Sequence, residues 1–212
     1  MLDFTHWENV FCEYLLKNMS MDSAHDLAHI RRVVNNAKRI ADEEKANLEV
    51  IIPAAWLHDC VVVPKDSPDR NKASVMAAKE AGRFLKEIEY PHSDLSVIEH
   101  AIAAHSFSAN ITAETLEAKI VQDADRIDAL GAIGTVRCLV TGVALQLDLY
   151  SSNDPFCQTR EANDRKYTID HFYCKLLKLH EQMNTETGRK MAKKRSDFMK
   201  IFLAQLESEI CD

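Results

Sequence analysis

From Val50 to Leu57 every residue is apolar, and the next two are His58 and Asp59. A run of that kind has to be buried, and it carries both polar residues toward the interior with it. Buried charge is costly unless it is paired or bound to a metal. Whatever fold the chain adopts must therefore bring partners to His58 and Asp59.

The rest of the chain reads as helices. Glycine and proline number only five each in 212 residues, which favours long helices joined by short loops over a many-stranded sheet. Residues 4–17 place Phe4, Trp7, Phe11, Tyr14 and Leu15 at helical spacing, and residues 25–45 do the same with Leu27, Ile30, Val34, Ala37 and Ala41. A third helix spans about 47–60, where Pro53 is tolerable only near the first turn. Residues 61–72 form a loop with two prolines, and a fourth helix covers 73–88 with Val75, Ala78, Ala81, Phe84 and Leu85 inward. Ser93 is the expected N-cap of a fifth, running through Ile98, Ala101, Ile102 and His105. Two more helices, 114–130 and 132–149, part near Gly131, and 151–167 is a polar loop. Two helices close the chain, one with Phe172, Leu176, Leu179 and Met183, the other with Met191, Phe198, Phe202 and Leu206. The expected architecture is an all-α, single-domain helical bundle over residues 1–212.

Charge and cysteine usage narrow the function. A formal charge of −7 argues against broad nucleic-acid binding, which needs a basic surface, but leaves room for a small anion in a local basic pocket. Six scattered cysteines without a C-x-x-C pair fit a reducing compartment. Asp3 and Glu8 precede the apolar residues of the N-terminus, unlike a signal peptide, and no 18-residue apolar run offers a membrane span. The expected location is cytoplasmic.

Four places put metal-binding side chains among core residues. His25 and His29 lie four apart; His58 and Asp59 end the third helix; His100 and His105 flank "AIAA"; Asp123, Asp125 and Asp128 follow in "VQDADRIDALG". A single histidine at helical spacing is more often packed or at the surface than a ligand. Several helices carrying such groups, however, can bring them to one interior site of a bundle. Imidazoles with carboxylates form a mixed N/O set that suits Zn, Mn, Fe, Co or Ni. Spacing alone leaves open which of them converge.

The ordered series His29 in "HDLAHIRRV", His58-Asp59 in "LHD" and Asp125 in "QDADRIDALGAIG" resembles the H…HD…D signature of the HD-domain metal-dependent phosphohydrolases. "AIAAHSFS" and "HFYCKLLKLHEQMNTETGRKMAKKRSDFM" resemble that superfamily's small bacterial single-domain branch, some of whose members are similar to nucleoside triphosphate pyrophosphohydrolases. The resemblance runs from about residue 4 to 208. It implies one divalent ion, Mn first and Mg, Co, Ni, Fe or Zn as alternatives, ligated by His29, His58, Asp59 and Asp125. From its position alone, Asp59 is also expected to act catalytically by orienting the attacking water, which the ion activates. The implied substrate is a small phosphate ester or nucleotide, with pyrophosphate release from a nucleoside triphosphate standing beside monophosphatase and phosphodiesterase action. The alternative is a non-catalytic regulatory protein that binds metal and nucleotide.

Substrate contacts are expected from three groups. His25, His100 and His105 accompany the ligands, and the last two are where a second ion would bind. Lys65, Arg70 and Lys72 follow the His58-Asp59 pair, and His171, Lys175 and Lys178 lie on "HFYCKLLK". Two departures narrow the class. "CVVV" after His58-Asp59 replaces the acidic pair of the helical guanosine tetraphosphate hydrolases, and no "GYP" suggests a cyclic-dinucleotide phosphodiesterase.

Overall fold

The computed structural model describes residues 2–18, 27–63, 67 and 69–211. Among these the chain is helical, with one isolated bridge, Asp148 to Tyr167, and it gathers into two compact units, Met1–Asp125 and Arg126–Asp212. No single helix among the described residues is long and apolar enough to cross a membrane.

The first unit holds α1 (Phe4–Asn18), α2 (Leu27–Glu44), α3 (Leu48–Leu57), α4 (Ala73–Glu87), α5 (Ser96–His105) and most of α6 (Leu116–Asp128). Its centre is α3, buried from Val50 to Leu57 and packed against α1, α2, α4 and α5. Asn47 caps the start of α3 by accepting the Glu49 N–H at 2.9 Å. Pro53 sits beyond the first turn, deeper than its sequence reading allows. The reason is local. Proline offers no N–H to the Glu49 carbonyl four residues back, and the buried Tyr90 hydroxyl donates to that carbonyl instead, at 2.9 Å. Between α4 and α5 the approach is close at Gly82, where a Cβ would lie 1.9 Å from the Glu99 carboxylate.

Two boundaries in this unit differ from expectation. Helix α3 ends at Leu57, so His58 is its C-cap and Asp59 lies in the turn that follows. Helix α5 begins at Ser96, not beside Ser93, because the Asp94 carboxylate takes both the Ser96 N–H (2.9 Å) and its hydroxyl (2.6 Å).

The second unit contains α7 (Gly131–Ala144), α8 (Asp170–Cys174), a 3-10 turn (Leu176–Gln182) and α9 (Glu186–Cys211). Gly131, at φ +74°, makes the left-handed step that opens α7 and that a side chain would resist. Helix α7 stops at Ala144 rather than continuing to 149. The next backbone groups pair with a distant segment instead, Thr168 N–H to Asp148 O and Ile169 N–H to Leu149 O, both at 2.9 Å. The expected helix through Phe172 and Met183 is broken at Lys175 (φ −136°) into α8 and the 3-10 turn. All four of its apolar residues are buried nonetheless, since a spacing of three serves either helix type. On α9 the buried stripe is Ala192, Ser196, Met199 and Leu203, one position away from the expected one, and Phe198 is 43% exposed. Helix α9 carries two apolar stripes side by side, and the one containing small residues faces inward.

The loop before α8 is fastened by Asp170. This fully buried carboxylate accepts from two Arg160 nitrogens (2.6 and 2.8 Å) and from the Asn163 N–H (2.6 Å). Burial favours the neutral acid, but Arg160 and Asn163 outweigh it and hold the pKa below the ordinary aspartate value. Its contribution is therefore complete above the unfolded-state pKa and disappears as pH falls through the lower folded-state value. Asp170→Asn should cost about 3 kcal/mol at neutral pH, with the penalty shrinking under strong acid, as read from urea unfolding across pH. Tyr90→Phe should cost about 2 kcal/mol in the same assay, because it leaves the Glu49 carbonyl buried without its donor.

Candidate metal centre

The burial of α3 delivers His58, fully enclosed, to the middle of the first unit. Its Nδ1 lies 2.8 Å from the Ala55 carbonyl, and His105 repeats the arrangement with the Ile102 carbonyl at 2.7 Å. Both carbonyls belong to a helix's last turn, where no backbone N–H follows to claim them. A carbonyl accepts only, so each Nδ1 carries a proton, and in the neutral imidazole each Nε2 presents a lone pair.

Those lone pairs face a common point. His58 Nε2 is 3.6 Å from Asp59 Oδ2 and 3.9 Å from Asp125 Oδ1. His29 Nε2, from the first turn of α2, is 3.5 Å from Asp125 Oδ1 and 3.9 Å from Asp59 Oδ2. His105 Nε2 is 3.5 Å from Asp59 Oδ1. The His58 separations are longer than hydrogen bonds, and the set as a whole suits donor atoms standing around one centre. Two overlapping groups result, His29–His58–Asp125 and His58–Asp59–His105, with the donor atoms of each within 4.8 Å of one another. His58 Nε2 is buried and has no hydrogen-bond partner. An imidazole and carboxylate donor set with one orphaned lone pair fits a divalent cation.

The electrostatics agree with that chemistry. Burial pushes the His58 pKa down, which keeps it neutral, as a ligand must be. For His105 burial acts in the same direction, but Asp59 and Asp125 outweigh it and the net shift is upward. The side chains of Asp59 and Asp125 remain 23% and 29% exposed, so the carboxylate side of the cluster is the one that solvent reaches.

The other sequence candidates are distributed more widely. His25 and Lys65 lie outside the described residues. Arg70 and Lys72 bound a 3-10 turn that packs against a second one, Phe107–Ala109, two residues beyond His105. Lys72 is exposed and paired with Asp69 at 2.7 Å. His100 Nε2 accepts the Glu114 N–H at 3.1 Å and takes no part in either donor group. In the second unit His171 Nδ1 meets Asp164 at 2.9 Å and lines a cavity of about 580 Å³ with Arg137, Arg165 and Leu176. Lys175 and Lys178 are exposed. Asp128, which shares a helix face with Asp125, is fully buried against Arg137 at 2.7 Å and serves the fold. The sequence reading sets His100 and His105 together beside the ligands, and the structure separates them, placing His105 Nε2 3.5 Å from Asp59 Oδ1. The signal for His105 was its position at a helix C-terminus, the same as that of His58.

Comparison with known proteins agrees over most of the chain. The HD domain profile matches residues 26–130. The uncharacterized protein YpgQ of Bacillus subtilis is 35% identical over 192 residues, 89% of this chain and 85% of its own length. The crystal structure of an HD-superfamily hydrolase from Bacillus thuringiensis superposes with a TM-score of 0.75 at 30% identity, covering 97% of both chains. That of YpgQ in complex with ADP gives 0.73 at 28% identity, covering 98% of this chain and 97% of its own.

One consequence of the orphaned nitrogen is a trade of stability for binding. With metal stripped away, His58→Leu should lie within about 2 kcal/mol of the wild type, because removing the unsatisfied buried Nε2 offsets the cost of leaving the Ala55 carbonyl without its Nδ1 donor. The rise in Tm that divalent ions give the wild type should be absent from that variant. Thermal unfolding with and without Mn checks both halves.

Proposed function

We propose, on the premise that this chain belongs to the HD-domain family, that it is a metal-dependent phosphohydrolase whose substrate is a nucleotide. The observation that carries the reading is the approach of the Asp59 and Asp125 carboxylates to both His29 Nε2 and the unpartnered His58 Nε2, at 3.5 to 3.9 Å. These four residues would hold the ion, with manganese the first choice on the family resemblance and Mg, Co, Ni, Fe or Zn as alternatives. A divalent ion at that position polarises a phosphoryl oxygen and makes water a nucleophile near neutral pH.

Asp59 has the geometry for two duties. Its Oδ2 lies toward His29 and His58, while its Oδ1 lies toward His105. The first oxygen completes the ligand set; the second, with His105, orients the attacking water. The fully buried α3 and its packing against four other helices hold this carboxylate in place.

Phosphate binding falls to cations. Arg70 and Lys72 are supported by the packing of their turn beside the end of α5, and Lys65 belongs to the same loop. Lys72 exchanges Asp69 for a phosphoryl oxygen when substrate arrives. His171, Lys175 and Lys178 are proposed as further substrate contacts on the strength of the "HFYCKLLK" resemblance. The nucleotide class is supported by YpgQ, a relative whose crystal structure contains ADP. Within that class the proposed reaction releases pyrophosphate from a nucleoside triphosphate.

A panel of nucleoside mono-, di- and triphosphates, each with Mn, Mg, Co, Ni or Zn and resolved by chromatography, tests the proposal. A monophosphate plus pyrophosphate is the expected outcome. Orthophosphate alone would replace the pyrophosphohydrolase with a phosphatase, and no turnover with metal bound would leave a regulatory binder. His58→Ala and Asp59→Ala should each lose bound metal and lower kcat/KM by at least about a hundredfold, beyond the losses typical of residues behind the ligands.

A further inference from the structure

The last turn of α5 is fastened more heavily than a helix end requires. Ile102, Ala103 and Ala104 carry carbonyls that no backbone N–H of the helix can reach. Each is claimed by a different side chain: Ile102 O by His105 Nδ1 (2.7 Å), Ala103 O by Ser74 Oγ (2.9 Å) and Ala104 O by Gln122 Nε2 (2.7 Å). Ser74 comes from the first turn of α4 and Gln122 from α6, one turn before Asp125, and both are buried. The turn so held is the one that ends in His105.

We infer that Ser74 and Gln122 are positioning residues that set His105 Nε2 against Asp59. Two consecutive carbonyls bound from two other helices, α4 and α6, beside a third bound by α5's own His105, leave the turn neither rotation about the α5 axis nor fraying at its end. Its backbone fixes the Ile102 oxygen, that oxygen fixes the His105 ring through Nδ1, and the ring fixes Nε2 at 3.5 Å from Asp59 Oδ1. Gln122 also ties this turn to the helix that supplies Asp125, so two members of the donor cluster share one rigid connection. At the end of α3, by comparison, His58 Nδ1 meets the Ala55 carbonyl and the Cys60 N–H donates to Leu57 O. Groups that orient a ligand from behind typically govern metal affinity by 10–100-fold. The consequence for metal rests on the reading of the cluster given above; the fixing of the ring does not.

The test uses the full chain and two readouts. In metal-free protein at alkaline pH, nitrogen-detected NMR of the imidazoles should show His105 as one narrow set of signals with the proton on Nδ1. Ser74→Ala and Gln122→Met should broaden or split that set, and Ser74→Thr, which keeps the hydroxyl, should restore it. Cobalt(II) titration followed by visible absorption should show affinity weakened by about tenfold or more in the first two variants, with an altered band envelope, and wild-type behaviour in Ser74→Thr. Unchanged His105 signals in a folded Ser74→Ala variant would overturn the fixing of the ring. Changed signals with wild-type cobalt affinity would overturn the positioning role. A wild-type protein that takes up no cobalt would refute the metal reading while the imidazole signals still decide the first step. Should Gln122→Met fail to fold, the Ser74→Ala and Ser74→Thr pair decides alone, because alanine is a good helix former at an α4 position.

Discussion

A buried imidazole nitrogen without a partner is the constraint around which the first unit is organised. Helix α3 is apolar throughout its last eight residues, so it can only be internal, and His58 follows it inside. Leaving such an atom unsatisfied costs roughly 1–3 kcal/mol, and the chain tolerates that cost at a point where three other helices bring His29, His105 and Asp125 and the next residue is Asp59. Apolar side chains would fill the same space more cheaply. That polar groups stand there instead, with their lone pairs turned inward, is what gives the cluster a chemical rather than a packing purpose.

Helix termini do much of the positioning. The carbonyls exposed at a C-terminus are acceptors in need of donors, and the chain spends them on histidine Nδ1 atoms at two separate helix ends. One hydrogen bond thereby satisfies the backbone, selects the tautomer and points Nε2 at the cluster. The same economy appears inside α3, where the acceptor freed by Pro53 is used to anchor Tyr90. In each case an acceptor left free by helical bonding holds a side chain in place, and at Tyr90 it also ties two elements together.

The helical architecture was legible in the sequence because helical periodicity and few breakers are local properties. The series His29, His58-Asp59, Asp125 was legible as a resemblance, and its geometry follows from the burial of α3. What escaped was set by tertiary competition. His105 and His100 look alike in "EHAIAAHS", yet one ends its helix and the other accepts the Glu114 N–H. The two apolar stripes of α9 are equivalent until packing chooses between them, and a spacing of three does not distinguish an α-helix from the 3-10 turn at Leu176–Gln182. The start of α5 depended on Asp94, two residues upstream, rather than on the nearer-looking serine cap.

The central claim is that the cluster is a divalent-metal centre, and locating the ion tests it most directly. A crystal soaked in manganese, measured near the manganese absorption edge, should show an anomalous difference peak bounded by His29 Nε2, His58 Nε2 and the carboxylates of Asp59 and Asp125. A map with no peak among those atoms, from a crystal whose manganese content is confirmed by fluorescence, would contradict it.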